Sequence, residues 1–179
     1  MPRLPSRSRR LRARVGAALA GAALAGAALA LGACDAATGP LPRAGAPADL
    51  EFSMGGFGTG STFVESRADT VILRRVSWDG DPTEEQEVAR AVPTAEAWRA
   101  FWAAAERAGV GEWKREYVAD GVVDGHGWSL RVVSGGHAIE SSGSNAYPDR
   151  LGREHELEMT DDFRLFVDAL GALVDSPLR

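Results

Sequence analysis

The only cysteine of this 179-residue chain, Cys34, closes an N-terminal stretch that no globular core can use. Arg3, Arg7, Arg9, Arg10, Arg12 and Arg14 form a basic head with no acidic residue, and 17 uncharged residues from Val15 to Leu31, built from Ala, Gly and Leu, follow it. Leu19, Leu24 and Leu29 recur every five residues, a low-complexity run suited to a short inserted helix and not to packing. This is the layout of a secretory n-region and h-region. A permanent span needs about 20 apolar residues, so the expectation is that the segment is removed after export.

Leu31-Gly32-Ala33-Cys34, at the end of that run, resembles the bacterial lipobox. The resemblance implies that a lipoprotein signal peptidase recognises Leu31, Gly32 and Ala33 and cuts ahead of Cys34, which carries diacylglycerol. A lone thiol in an exported chain has no internal disulfide partner, and lipid attachment accounts for it. A diacylglyceryl thioether plus an amide-linked acyl chain such as palmitate supplies two hydrophobic signals, each buried methylene adding about 0.8 kcal/mol, which makes a stable membrane anchor. Asp35 resembles the inner-membrane retention signal of enterobacterial lipoproteins. Nineteen Arg against one Lys suggest a GC-rich genome, where that rule is least tested, so inner and outer membrane both stay open.

The charge divides at the same place. Residues 34–179 carry 14 basic and 25 acidic side chains, a net charge of −11. Such a surface repels phosphate backbones and anionic headgroups, which argues against nucleic acid as a partner and against electrostatic adhesion to a membrane. The expected organisation is a signal peptide over residues 1–33, a lipidated Cys34 with a Pro/Gly/Ala-rich tether over 34–49, and one domain over 50–179. About 130 residues are enough for one core without staples.

Within the domain, Leu50, Phe52 and Met54 alternate as a half-buried strand does. Thr62 to Glu65 and Thr70 to Trp78 read as further strands, and Trp128 to Val133 with His137 to Ser141 read as a hairpin around Gly135-Gly136. Residues 84–92 and 151–159 fit either strand or helix. Thr94 caps a helix whose Trp98, Phe101, Trp102 and Ala105 share a face and which ends at Ala108-Gly109. Thr160 opens a second helix, with Phe163, Phe166, Val167, Leu170 and Val174 on its stripe. This order of strands, helix, strands, helix predicts an α+β fold, an antiparallel sheet with two helices packed on one face.

Most chemical motifs fail on inspection. Gly55 to Thr62 has the glycine spacing of a phosphate loop, but Ser61 stands where lysine is required and a strand follows in place of a helix. His155-Glu156-Leu157-Glu158-Met159 lacks the second histidine of a zinc-protease helix. Asp79, Asp81, Thr83 and Glu85 start like a calcium loop, but Glu84 and Arg90 occupy positions that need Gly and Glu. No nucleophile elbow is present, and no cofactor-binding motif or complete metal set either. Asp124, His126 and His137 form the one grouping that admits a metal-dependent enzyme.

Trp113-x-x-x-Tyr117, Asp124-Gly125-x-x-Trp128 and Gly143-x-Asn145-Ala146-Tyr147-Pro148, followed by a helix with Phe163, resemble a domain that recurs in uncharacterised bacterial proteins, often exported or lipid-anchored. The resemblance covers residues 113–173 and implies no activity; the stretch from Asp149 to Thr160 is longer here than its usual spacing. Trp113, Tyr117, Trp128, Asn145 and Tyr147 are the candidate binding group, and the same residues also suit turns and core anchors. The early strand followed by Gly55-Gly56-Phe57-Gly58 is similar to emfourin, a bacterial protein inhibitor of metalloproteases. Three functional classes follow. The first is a non-catalytic binding or envelope-maintenance module, tethered by lipid and facing the periplasm or the outside. The second is an inhibitor of a secreted metalloprotease, and the third a metal-dependent enzyme. The corresponding partners are the membrane, through the lipid, and an envelope protein or a secreted protease.

Overall fold

Alternation sets the sheet. Leu50 and Phe52 of β1 (Asp49–Gly56) are buried while Glu51 between them is exposed. The same face continues through Val64 of β2 (Gly60–Arg67) and Leu73 of β3 (Thr70–Val76) on one side. On the other it runs through Leu130 of β6 (His126–Ser134) and Ile139 of β7 (His137–Ser144). The structure, a computed structural model, describes residues 41–56, 58–77, 85–122 and 124–178. The signal segment, Leu31, Gly32, Ala33 and Cys34 lie outside the described residues, as do Trp78, Asp79, Asp81 and Thr83.

With β4 (Gln86–Ala91) and β5 (Glu116–Val118) added, the seven-stranded sheet runs in the order β4-β3-β2-β1-β6-β7-β5, and β8 (Ala146–Pro148) pairs with β9 (Glu154–Glu156) in a second, two-stranded sheet. With two helices added, this is the make-up of an α+β domain. The expected antiparallel sheet needs a correction, because β5 (Glu116–Val118) joins β7 in parallel and makes the sheet mixed. The chain reverses between β5 and β6 and again in the β6–β7 hairpin, so β5 and β7 run the same way. Residues 84–92 contain a strand, β4 (Gln86–Ala91), whose ladder with β3 is bulged between Leu73 and Arg74.

Both helices begin as their caps dictate. Thr94 accepts the Ala97 amide at 3.1 Å ahead of α1 (Ala95–Arg107), and Thr160 accepts the Phe163 amide at 3.1 Å ahead of α2 (Asp161–Ala172). Gly109 takes φ +74° just past α1, where an added Cβ would meet the Arg150 carbonyl oxygen at 2.1 Å. The stripes face inward: Phe101 of α1 lies 5.9 Å from Phe166 of α2, and Phe166 lies 5.7 Å from Phe52 of β1. Burial of such a side chain contributes about 1.5–3 kcal/mol. Val174, expected on the α2 stripe, lies beyond the helix end yet is buried.

Part of the stretch expected as a tether over residues 34–49 is docked on the domain, namely residues 41–48. Trp102 of α1 donates its indole N–H to the Gly45 carbonyl at 2.9 Å, the Ala48 amide donates to the Val133 carbonyl at 2.8 Å, Pro47 is buried, and Leu41 packs on the core. A proline- and glycine-rich segment with no apolar period can still dock when a neighbouring helix offers it an indole donor.

Candidate functional site

The five residues of the candidate binding group come together, but as core. Trp113 and Tyr117 are 0% exposed, Trp128 4%, Tyr147 6% and Asn145 8%. Trp113 lies 5.6 Å from Trp128, and both rings meet Phe163 of α2, at 5.6 and 4.8 Å. Their polar atoms are spent internally. The Trp128 indole donates to the Ala146 carbonyl at 2.9 Å, and that of Trp113 to the Ala108 carbonyl at 3.2 Å. The Tyr117 hydroxyl accepts the Lys114 amide at 2.7 Å and donates to the Gly152 carbonyl at 3.2 Å. Burial pushes the Tyr117 phenol up to about 12 and raises that of Tyr147 as well. Buried this way, the group offers no face to a ligand, which corrects the binding-site expectation in favour of the scaffold reading.

The glycines and asparagine of these motifs have equally local reasons. Asn145 adopts φ +53°, a conformation asparagine tolerates better than most residues. Its Oδ1 accepts the His126 amide at 2.8 Å, and its backbone carbonyl accepts the Leu157 amide at 2.7 Å. A Cβ on Gly143 would stand 2.2 Å from Trp128 Nε1. The motif is the recipe for seating one indole.

The metal grouping does not assemble. His126 opens β6, whereas His137 opens β7 and pairs with Ser134 at the far end of the same hairpin. Eight residue steps, from His126 to Ser134, separate the two ends, about 26 Å at the usual rise. Ligands must lie about 2 Å from one ion, so the Asp124, His126 and His137 arrangement is excluded. Among the described residues no group of three or more His, Cys, Asp and Glu side chains could hold a metal.

The glycine segment is a hairpin turn. β2 follows it directly, Gly58 and Gly60 take φ +77° and +78°, and Thr59 bonds back to the Gly56 carbonyl at 3.2 Å. Gly58 and Thr59 are exposed; Phe57 lies outside the described residues. Beside the turn, at that end of the sheet, is a cavity of about 700 Å³ with Met54, Thr59, Arg75, Gln86, His126 and Met159 among its walls.

One group escaped the sequence reading. Asp149, buried, accepts the amides of Leu151 and Arg153 at 2.9 Å each, the Arg153 guanidinium at 2.7 Å and the His155 imidazole at 3.3 Å. Burial works to raise its carboxyl, but these donors outweigh burial and hold it far below the usual carboxylate range. It ties the long loop between β8 and α2 to itself. A single aspartate in an acidic loop carries no periodic signal that could have marked it.

Compared with protein-family models and with curated proteins, the chain matches none.

Proposed function

We propose that the chain is a lipid-anchored protein of a bacterial cell envelope, serving as a non-catalytic binding or envelope-maintenance module. The observation that carries this reading is the ordered series of six arginines, an uncharged run and Leu31-Gly32-Ala33-Cys34. With residues 41–48 docked, seven residue steps separate Cys34 from Leu41, a reach of about 22 Å at about 3.1 Å per residue. The anchor therefore keeps the domain close to the bilayer without laying it on the lipid. Mass spectrometry of the mature N-terminal peptide tests the reading. A peptide beginning at Cys34 with added diacylglycerol supports it, and one beginning elsewhere or with free Cys34 overturns it.

The same proposal includes the finer architecture, in which both helices cover the inner sheet face. It is supported by the chain of contacts Phe101, Phe166, Phe52 and by the polar opposite face, where Ser53 and Ser129 bond to each other at 2.8 Å and Glu65 pairs with Arg74.

A second reading, inhibition of a secreted metalloprotease, is favoured by the exposed tip of the β1–β2 hairpin at Gly58 and Thr59. Titration of the full chain against a panel of such proteases tests it. Inhibition abolished by lengthening the hairpin tip supports it, and absence of inhibition across the panel disposes of it.

A further inference from the structure

We propose that the cavity beside the β1–β2 hairpin is a soft-metal site that takes one monovalent copper ion through the thioethers of Met54 and Met159 and the imidazole of His126. This goes beyond the lipid-anchor reading and does not depend on it.

The chain has three methionines, and the two that follow the initiator both line this one cavity together with one of its three histidines. Strand register brings two of the donors together. In the β1–β6 ladder Met54 pairs with Trp128 and Gly56 with His126, so Met54 and His126 point to the same face as diagonal neighbours. Such neighbours lie about 7–8 Å apart at Cα, within reach of long side chains. Gly56 leaves the room, for a Cβ there would stand 3.1 Å from the imidazole Cγ and Cδ2. The third donor arrives through Asn145. That residue holds the His126 amide with its side chain and the Leu157 amide with its backbone, so the segment leading to Met159 returns to the start of β6.

The walls fix the class of ion. No carboxylate or cysteine is among the described residues around the cavity, and its one charged side chain, Arg75, is turned to the Pro177 carbonyl. Hard divalent cations need oxygen ligands, and structural zinc takes Cys, His or carboxylate. Two thioethers and an imidazole are soft, neutral donors, the set that selects Cu(I). Leucine would fill the same space in either methionine position, and only the sulfur distinguishes them chemically. Both are partly buried against the core, and an unbranched thioether has the rotamer freedom to turn toward an ion.

The test uses the full chain carrying Cys34→Ser, so that no thiol competes. Under anaerobic conditions Cu(I) is partitioned between the protein and a colorimetric copper(I) chelator, and the ε-methyl resonances of labelled methionine are followed with Ag(I) as the redox-inert analogue. One ion should bind per chain and shift the Met54 and Met159 methyl signals. Met54→Leu, Met159→Leu and His126→Ala should each weaken binding at least about tenfold, the scale at which even outer-shell partners act. His137→Ala and His155→Ala should leave it unchanged, and equimolar Zn(II) should not displace the ion. No Cu(I) bound at micromolar protein, undisturbed methyl signals, or binding that survives the Met54→Leu and Met159→Leu pair in a folded chain would each overturn the proposal.

Discussion

Asn145 Oδ1 stands where a Cβ on Gly125 would come within 1.7 Å of it, while the same oxygen accepts the His126 amide at 2.8 Å. The bare backbone at Gly125 lets the asparagine bridge the start of β6. Gly125→Ala therefore forces backbone or side chain aside and should lower stability by about 1–3 kcal/mol. Asn145→Ala leaves the His126 amide without its side-chain partner and places alanine at positive φ, with a loss of similar size. Urea midpoints of the two variants should fall well below that of the native chain. An unchanged midpoint for either removes the bridge from the account.

Trp128 and Gly143 form a second obligate pair. A methyl group on Gly143 would meet Trp128 Nε1 at 2.2 Å, and Trp128→Phe would leave the Ala146 carbonyl without its indole donor. Gly143→Ala should be the more severe, because overpacking adds to the lost bond. Intrinsic fluorescence during denaturation compares them. Equal midpoints would mean that the indole has room to move.

Two titrations carry opposite signs, one set by burial and the other by hydrogen bonding. Tyr117 holds its proton up to about 12 in the folded chain against about 10 when unfolded, so its contribution is complete below pH 10 and is lost as pH rises toward 12. Stability measured from pH 9 upward should fall, and Tyr117→Phe should flatten that fall; the raised phenol of Tyr147 supplies a remainder. A slope unaffected by Tyr117→Phe would contradict its burial as described.

Asp149 works in the opposite sense. Its carboxyl lies below the unfolded value, so its contribution is present above about pH 4 and is lost as pH falls through the lower, folded value. Asp149→Asn should weaken the chain at pH 7 and reduce the further loss on acidification. Hydrogen exchange should quicken at the Leu151 and Arg153 amides, which the carboxylate now accepts.

The docked segment at residues 41–48 depends on Trp102. Trp102→Phe keeps an aromatic ring but removes the indole N–H that bonds the Gly45 carbonyl, worth about 1 kcal/mol, and leaves a small void where the rest of the buried indole stood. Faster proteolysis between residues 41 and 48, with the rest of the domain intact, is the expected outcome. Unchanged cleavage would show that Leu41 and Pro47 suffice.

Local chemistry made the long elements readable. Thr94 and Thr160 mark their helices through a side-chain oxygen three residues ahead of an amide, and Leu50 with Phe52 marks β1 by alternation. β5 and β9 have three residues each, too few for a period to show. The docking of residues 41–48 depends on an indole some 57 positions away, a relation that no local window contains. The aromatic motif was visible, but whether its rings face solvent is decided by Phe163 and the turn at Asn145, and only the assembled chain reveals that.

Metabolic labelling with palmitate asks most directly whether Cys34 is the attachment point. Cells expressing the native chain should yield a labelled protein that partitions with membranes, and cells expressing Cys34→Ser should yield an unlabelled one. An unlabelled native protein, or equal label in the serine variant, would contradict the account.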